Sequence, residues 1–304
     1  MRNSIKISIM LVAAFCAACG QGNKNTEEDQ EELFKAKVLT SPHGFTMGVE
    51  GPAVDAEGNV YAVNFQEEGT IGKVTKDGQV SLFTKLPDGS VGNGIRFDRM
   101  GNMLVADYKG HNILKIDMAT KAIQVYAHED EMAQPNDIAI DNKGHIYASD
   151  PDWKANKGKI WRVDTNGQVV LLDSLGTANG IEVSPDNDKL YVNEAAMGNV
   201  WVYDLTPTGD VSNKRLLIKF PDFGMDGMRC DIEGNLYIAR FGKGEVVQVS
   251  PDGKVLKEIA LTGKKPTNVT FGGEDGKTVY VTLQDQGNIE FFRVDRPGRI
   301  INWE

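Results

Sequence analysis

One phrase recurs six times along the chain and narrows the folds open to it more than any other feature. The phrase is an alternating apolar run, an Asp or its equivalent, a glycine-bearing turn, and a second alternating run. Copies begin at Gly51, Gly94, Asp137, Gly180, Gly227 and Asn268, with Asp55, Asp98, Asp141, Ser184, Asp231 and Gly272 at the turn. The residues that open each second run are Tyr61, Leu104, Tyr147, Tyr191, Tyr237 and Tyr280, spaced 43, 43, 44, 46 and 43 apart. Each phrase reads as a β-hairpin, because side chains alternate with period two on both sides of a tight turn. Third and fourth alternating runs follow most copies, for example 160–164 and 169–172. Four strands at this period make one propeller blade. The fold class expected is all-β, a six-bladed β-propeller with four antiparallel strands per blade over residues 35–304. A ring must close without a bare edge, so 35–40 is expected to pair in the last blade, beside 289–293 or 300–301.

The segment before the propeller has a different character. Arg2 and Lys6 precede an apolar stretch, 7–16, that is too short to span a bilayer. This is the pattern of an export signal over 1–19. Cys16-Ala17-Ala18-Cys19-Gly20 is similar to a bacterial lipobox, which makes Cys19 the expected lipid attachment and the chain an exported, membrane-anchored lipoprotein of the cell envelope. The polar, acidic run 20–34 is expected to be a disordered tether. A net charge of −10 spread along the chain argues against nucleic-acid binding. With Cys19 lipidated, Cys230 is left without a disulfide partner, and its place in an alternating run reads as a buried small hydrophobe.

The residue just before each innermost strand of a propeller lies at the mouth of the central channel. Five residues before each turn position stand Glu50, Asn93, Asn136, Asn179, Asp226 and Thr267. This oxygen-rich ring has no His or Cys. Two carboxylates drawn together repel unless a cation or a shared proton neutralises them. All-oxygen donors suit a hard cation, and calcium is the first expectation, with Mg2+, Mn2+ or Zn2+ as other divalent options. The bland alternative is turn chemistry, since Asn-Gly is a favoured turn pair; it accounts for Asn93 and Asn179 but not for Asn136 or the carboxylates. His43, His111, His128 and His145 fall off the ring and read as surface or packing residues.

Glu50-Gly51-Pro52, Pro135-Asn136-Asp137, Ala178-Asn179-Gly180 and Met225-Asp226-Gly227-Met228, in order and at blade spacing, resemble the SMP-30/gluconolactonase/luciferin-regenerating-enzyme family. The resemblance spans the propeller and implies a catalytic divalent cation held by Glu50, Asn179 and Asp226. It implies Asn136 as a fourth ligand in some relatives and a substrate contact in others. Family members that act on sugar lactones carry an Arg two residues before that Asn; Gln134 stands there in this chain. Asn93 is expected either to touch substrate or to cap its strand, and Asp137 to orient Asn136 from behind. Tyr108, His111, Trp153 and Phe223 are equally candidates for pocket walls and for packing.

The expected activity is metal-dependent opening of a lactone, with Asp226 as general base or nucleophile. The substrate is then a small lactone or ester, and a monomer is expected. The alternatives are a lipid-anchored, non-catalytic binding propeller and phosphotriesterase activity at the same site.

Overall fold

The computed structural model describes residues 33–301 and 303. The signal, Cys19 and nearly all of the tether lie outside them. The described residues form twenty-four strands in six four-stranded sheets, each antiparallel throughout. The innermost strands are Phe45–Val54, Gly92–Phe97, Ile138–Ile140, Ala178–Val183, Met228–Cys230 and Pro266–Gly272. The chain is thus a six-bladed β-propeller with one blade per repeat.

The recurring Asp has a local cause. Asp98 Oδ1 accepts hydrogen bonds from the backbone N–H groups of Met100 and Asn102, at 2.9 and 2.8 Å. Asp55, Asp141 and Asp231 make the same pair of contacts in their own turns. A carboxylate that bonds its own backbone two residues on is a turn-former. Asp141 and Asp55 also accept the hydroxyl protons of Tyr147 and Tyr61, at 3.0 and 2.9 Å, whereas the Tyr237 hydroxyl accepts from Gln248 at 2.8 Å. Asp141→Ala strands two N–H groups and a buried hydroxyl. It is expected to cost about 2 kcal/mol of stability, read from the urea unfolding midpoint.

The second strand of each blade is buried on both faces, as in Val60–Phe65 and Thr278–Leu283. Six apolar clusters hold the ring, one at each interface between adjacent blades. Tyr61 and Val63 of the first blade pack with Ile95 and Val105 of the second. At the ring's closing interface, Tyr280 and Ile289 pack with Phe45 and Val60. Edge-to-face aromatic pairs such as Tyr61–Phe83 and Tyr237–Phe271 lock these layers.

Closure follows the expectation from 35–40. Lys37–Val38 pairs with Asn288–Arg293, Lys37 opposite Phe291, so the first strand among the described residues completes the last blade. The alternative partner, 300–301, goes elsewhere. The C-terminal segment crosses beneath the channel, where Arg299 N–H donates to Cys230 O at 2.9 Å, and Ile301 packs between the second and third blades.

Candidate functional site

The six ring positions converge. Glu50, Asn93, Asn136, Asn179, Asp226 and Thr267 all line one cavity of about 500 Å3 at the mouth of the channel. Five stand at the start of an innermost strand or just ahead of it, and Glu50 lies within Phe45–Val54, where six backbones approach the axis. In four blades the approach is close enough to need glycine at the next position. A Cβ on Gly51, which has φ of +58°, would meet Asn93 O at 2.0 Å, and one on Gly227 would overlap the Asn268 side chain at 1.9 Å.

The members of the ring are not equivalent. Thr267 donates its hydroxyl to Val49 O at 2.8 Å and so ties the last blade to the first. Glu50 accepts the Gly51 N–H at 2.8 Å. Burial pushes its carboxyl from the ordinary 4.5 up to about 7, against the lowering effect of that bond and of neighbouring Asn268 and Asp226. Asp226 keeps part of its surface in the cavity although protein surrounds it on every side. Its carboxyl is raised well above the ordinary range, first by burial and then by repulsion from Glu50, with the Asn179 amide working the other way. The two acids cannot both ionise cheaply without a counter-charge.

The three carboxamides point to what that counter-charge is. Asn93 Oδ1, Asn136 Oδ1 and Asn179 Oδ1 are buried and accept no hydrogen bond from the protein. A buried carbonyl oxygen without a donor costs about 1–3 kcal/mol, and native structures rarely leave three around one point. Beside two carboxylates of raised pKa they form a donor set of oxygens that fits a hard divalent cation. Glu50, Asn136, Asn179 and Asp226 would hold it, with Asn93 Oδ1 within the same ring.

Below the ring lies a second charged layer that the repeat did not reveal. Asp137, expected to orient Asn136, does not turn toward it. Its carboxylate instead accepts two hydrogen bonds from Arg229, at 2.9 and 3.2 Å, and lies 3.5 Å from Arg96. The reason is electrostatic, because a fully buried carboxylate needs a cation more than an amide does. Burial pushes the Asp137 carboxyl up to about 7, and Arg96 opposes that. Glu182 completes the layer, with Arg299 from the C-terminal segment 3.4 Å away. Three guanidinium groups to two carboxylates leave one positive charge below the acidic ring. Arg229→Met deprives Asp137 of its bidentate partner and is expected to cost about 3 kcal/mol of stability by denaturant titration.

The remaining candidates separate cleanly. Tyr108 and Trp153 line the cavity; His111 and Phe223 do not. His111 Nδ1 meets Met132 O, His128 lies between Asn112 and Asp130 on the surface, and His145 bonds Asp141. Cys230 is buried, free, and pushed up in pKa by burial, as suits an inert thiol. Glu68, Lys109, Met225, Phe241 and Gln284 are lining residues that the repeat did not pick out. All but Met225 come from the loop between the second and third strands of a blade, so the loop position was the signal available.

A family model described as SMP-30/Gluconolactonase/LRE-like region matches residues 49–285, which spans every ring position. The chain belongs to this family. Among its relatives is a gluconolactonase of Zymomonas mobilis, 28% identical over 269 residues, which are 77% of this chain and 75% of the relative. A diisopropyl-fluorophosphatase of Loligo vulgaris is 28% identical over 286 residues, 83% of this chain and 90% of that one. A solved structure of regucalcin, a calcium-binding protein from Agrobacterium tumefaciens, aligns with a TM-score of 0.78 at 23% identity, covering 89% of this chain and 97% of that one. The family's propeller is therefore present here almost from end to end.

Proposed function

We propose that the chain is a divalent-metal-dependent hydrolase that opens a lactone to a hydroxy acid, with calcium as the metal. The observation that carries the reading is the ring itself. Two carboxylates of raised pKa and three carboxamide oxygens without donors meet on the floor of one cavity. Membership of a family that includes gluconolactonases supports the reaction, and regucalcin among the structural neighbours supports the ion.

When bound, the cation would polarise the lactone carbonyl and offset the negative charge that develops on its oxygen. Asp226 carries the proton chemistry. With the Asn179 amide at one side of its carboxylate, it has a second oxygen to take the proton of an attacking water, or to attack the carbonyl carbon itself. In the first case the acyl–oxygen bond breaks and the proton passes to the departing alkoxide. In the second the same bond breaks to leave an acyl-Asp226 anhydride, which water hydrolyses, freeing Asp226 and supplying the proton that the alkoxide takes up. Glu50, fixed by the Gly51 N–H, supplies charge to the ring. Asn93 and Asn136 are placed to meet the substrate as well as the ion. Asp137 acts on the ring only through its charge.

The test is hydrolysis of a lactone panel with and without chelator. Activity that chelator abolishes and calcium restores is the expected result. A chelator that lowers the melting temperature while no lactone is opened would mark a non-catalytic binder. A phosphotriester belongs in the panel, because the similarity to a diisopropyl-fluorophosphatase makes that the second reading. The proposal includes a monomer that is exported and anchored through Cys19. Cys19→Ala is expected to end labelling by a fatty-acid probe and release the protein from membranes.

A further inference from the structure

We infer that the cavity is built for a lactone with an apolar ring or chain attached, rather than for a polyhydroxylated sugar lactone. The inference rests on the lactone-opening reading for the reacting group, while the polarity of the pocket stands on its own observations.

Polarity in the cavity is concentrated on its floor. Accessible apolar lining comes from Val91, Tyr108, Trp153 and Phe241, while Val49 and Met225 back the cavity from within the blade interfaces. The polar side chains at this height are largely engaged with the protein. Asn64 donates to Gly48 O at 2.7 Å and accepts the Gly69 N–H at 3.1 Å. Glu68 and Lys109 meet each other at 2.9 Å. The Tyr108 hydroxyl is held by Trp153 and Gln134, and Gln284 is left to meet a polar group.

Three lining residues have exposed apolar neighbours in sequence. Met47, Met197 and Phe223 are 65%, 50% and 56% exposed, and each adjoins in sequence a residue that lines the cavity, namely Gly48, Ala196 and Gly224. Trp153, itself 41% exposed, bridges wall and mouth.

A ligand that matches this distribution has one carbonyl end and an apolar body. The volume of about 500 Å3 leaves room for a fused second ring or an alkyl chain beyond the lactone. A sugar lactone would instead turn its hydroxyls toward valine, tryptophan and phenylalanine, and buried hydroxyls without partners are unfavourable. An apolar pocket discriminates against an added hydroxyl by about 10²-fold at most, so a preference of tens-fold is the expected size.

The test measures binding, so it does not depend on turnover. Two lactams, inert to the reaction, are titrated calorimetrically into the calcium-loaded chain: 3,4-dihydro-2-quinolinone and the δ-lactam of gluconic acid. The quinolinone is expected to bind at least about tenfold more tightly. Trp153→Ala should remove most of that advantage, and Trp153→Phe should keep most of it. Equal or tighter binding of the gluconolactam overturns the inference, as does a Trp153→Ala variant with an undiminished ratio, or failure of both lactams to bind. Should the chain bind the quinolinone but open no lactone, the reaction proposed above falls while the pocket assignment stands. Should it open gluconolactone in preference, the reaction stands and this inference falls.

Discussion

Replacing Asp226 by Asn is expected to lower lactone turnover by about 10²–10⁴-fold, the range that a positioned acid–base group contributes, without unfolding the chain. Asn has the same shape and keeps a side-chain oxygen for a cation. It lacks the basicity to take a proton and the charge to act as a nucleophile. It also removes a carboxyl that burial and the charge of Glu50 hold well above its ordinary range. The metal-free variant should therefore melt at or slightly above the parent's temperature, while its affinity for calcium falls. Both halves are needed: kcat/KM measured at saturating calcium, and Tm measured in chelator. A variant that turns over at the parental rate removes Asp226 from the chemistry. One that melts far below the parent shows that the ring is held by that carboxylate rather than strained by it.

The second large effect is on stability, and its sign follows from the direction of the same shifts. The Glu50 carboxyl is raised from 4.5 to about 7 in the folded, metal-free chain. The folded state therefore keeps a proton that the unfolded state releases. That contribution is complete below pH about 4.5 and is lost as pH rises through about 7. Asp226 is shifted in the same direction. A shift of this size in a buried group corresponds to about 3 kcal/mol. In chelator, the melting temperature should fall steadily across this window. Calcium takes the place of the proton, so its stabilising effect should be small at pH 5 and larger at pH 8. At a free concentration one hundred times Kd, it amounts to about 2.7 kcal/mol. Thermal melts at four pH values with calcium and with chelator measure this. Parallel curves, with the same calcium increment at every pH, contradict the placement of the two carboxylates in the ion's site.

These effects could be anticipated because the repeat is written into the turns. An Asp that bonds the backbone two and four residues on, followed by a left-handed Gly, is a local device that four blades carry in sequence, and in two of them a Tyr returns to the Asp. Once the turns are in register, residues at the same offset share a height along the axis, and so the ring was legible. Other features rest on contacts that no period encodes. Thr267 occupies a ring position, but its hydroxyl is engaged with Val49 O on the neighbouring blade. Asp137 follows a ring residue, yet its partner Arg229 lies 92 residues on, across the channel. Arg299 enters the channel from beyond the last blade and belongs to no repeat. Much of the cavity wall is set by loops between second and third strands. There Glu68, Trp153, Ala195 and Phe241 share a place but no chemistry, so residue type gave no cue.

Everything turns on whether an ion sits at the axis. Anomalous diffraction from a calcium-grown crystal tests this most directly. The account predicts one peak on the cavity floor, about 2.3–2.6 Å from the carboxylates of Glu50 and Asp226 and from Asn136 Oδ1 and Asn179 Oδ1. A well-ordered ring with no peak there, or a peak held by other residues, contradicts it.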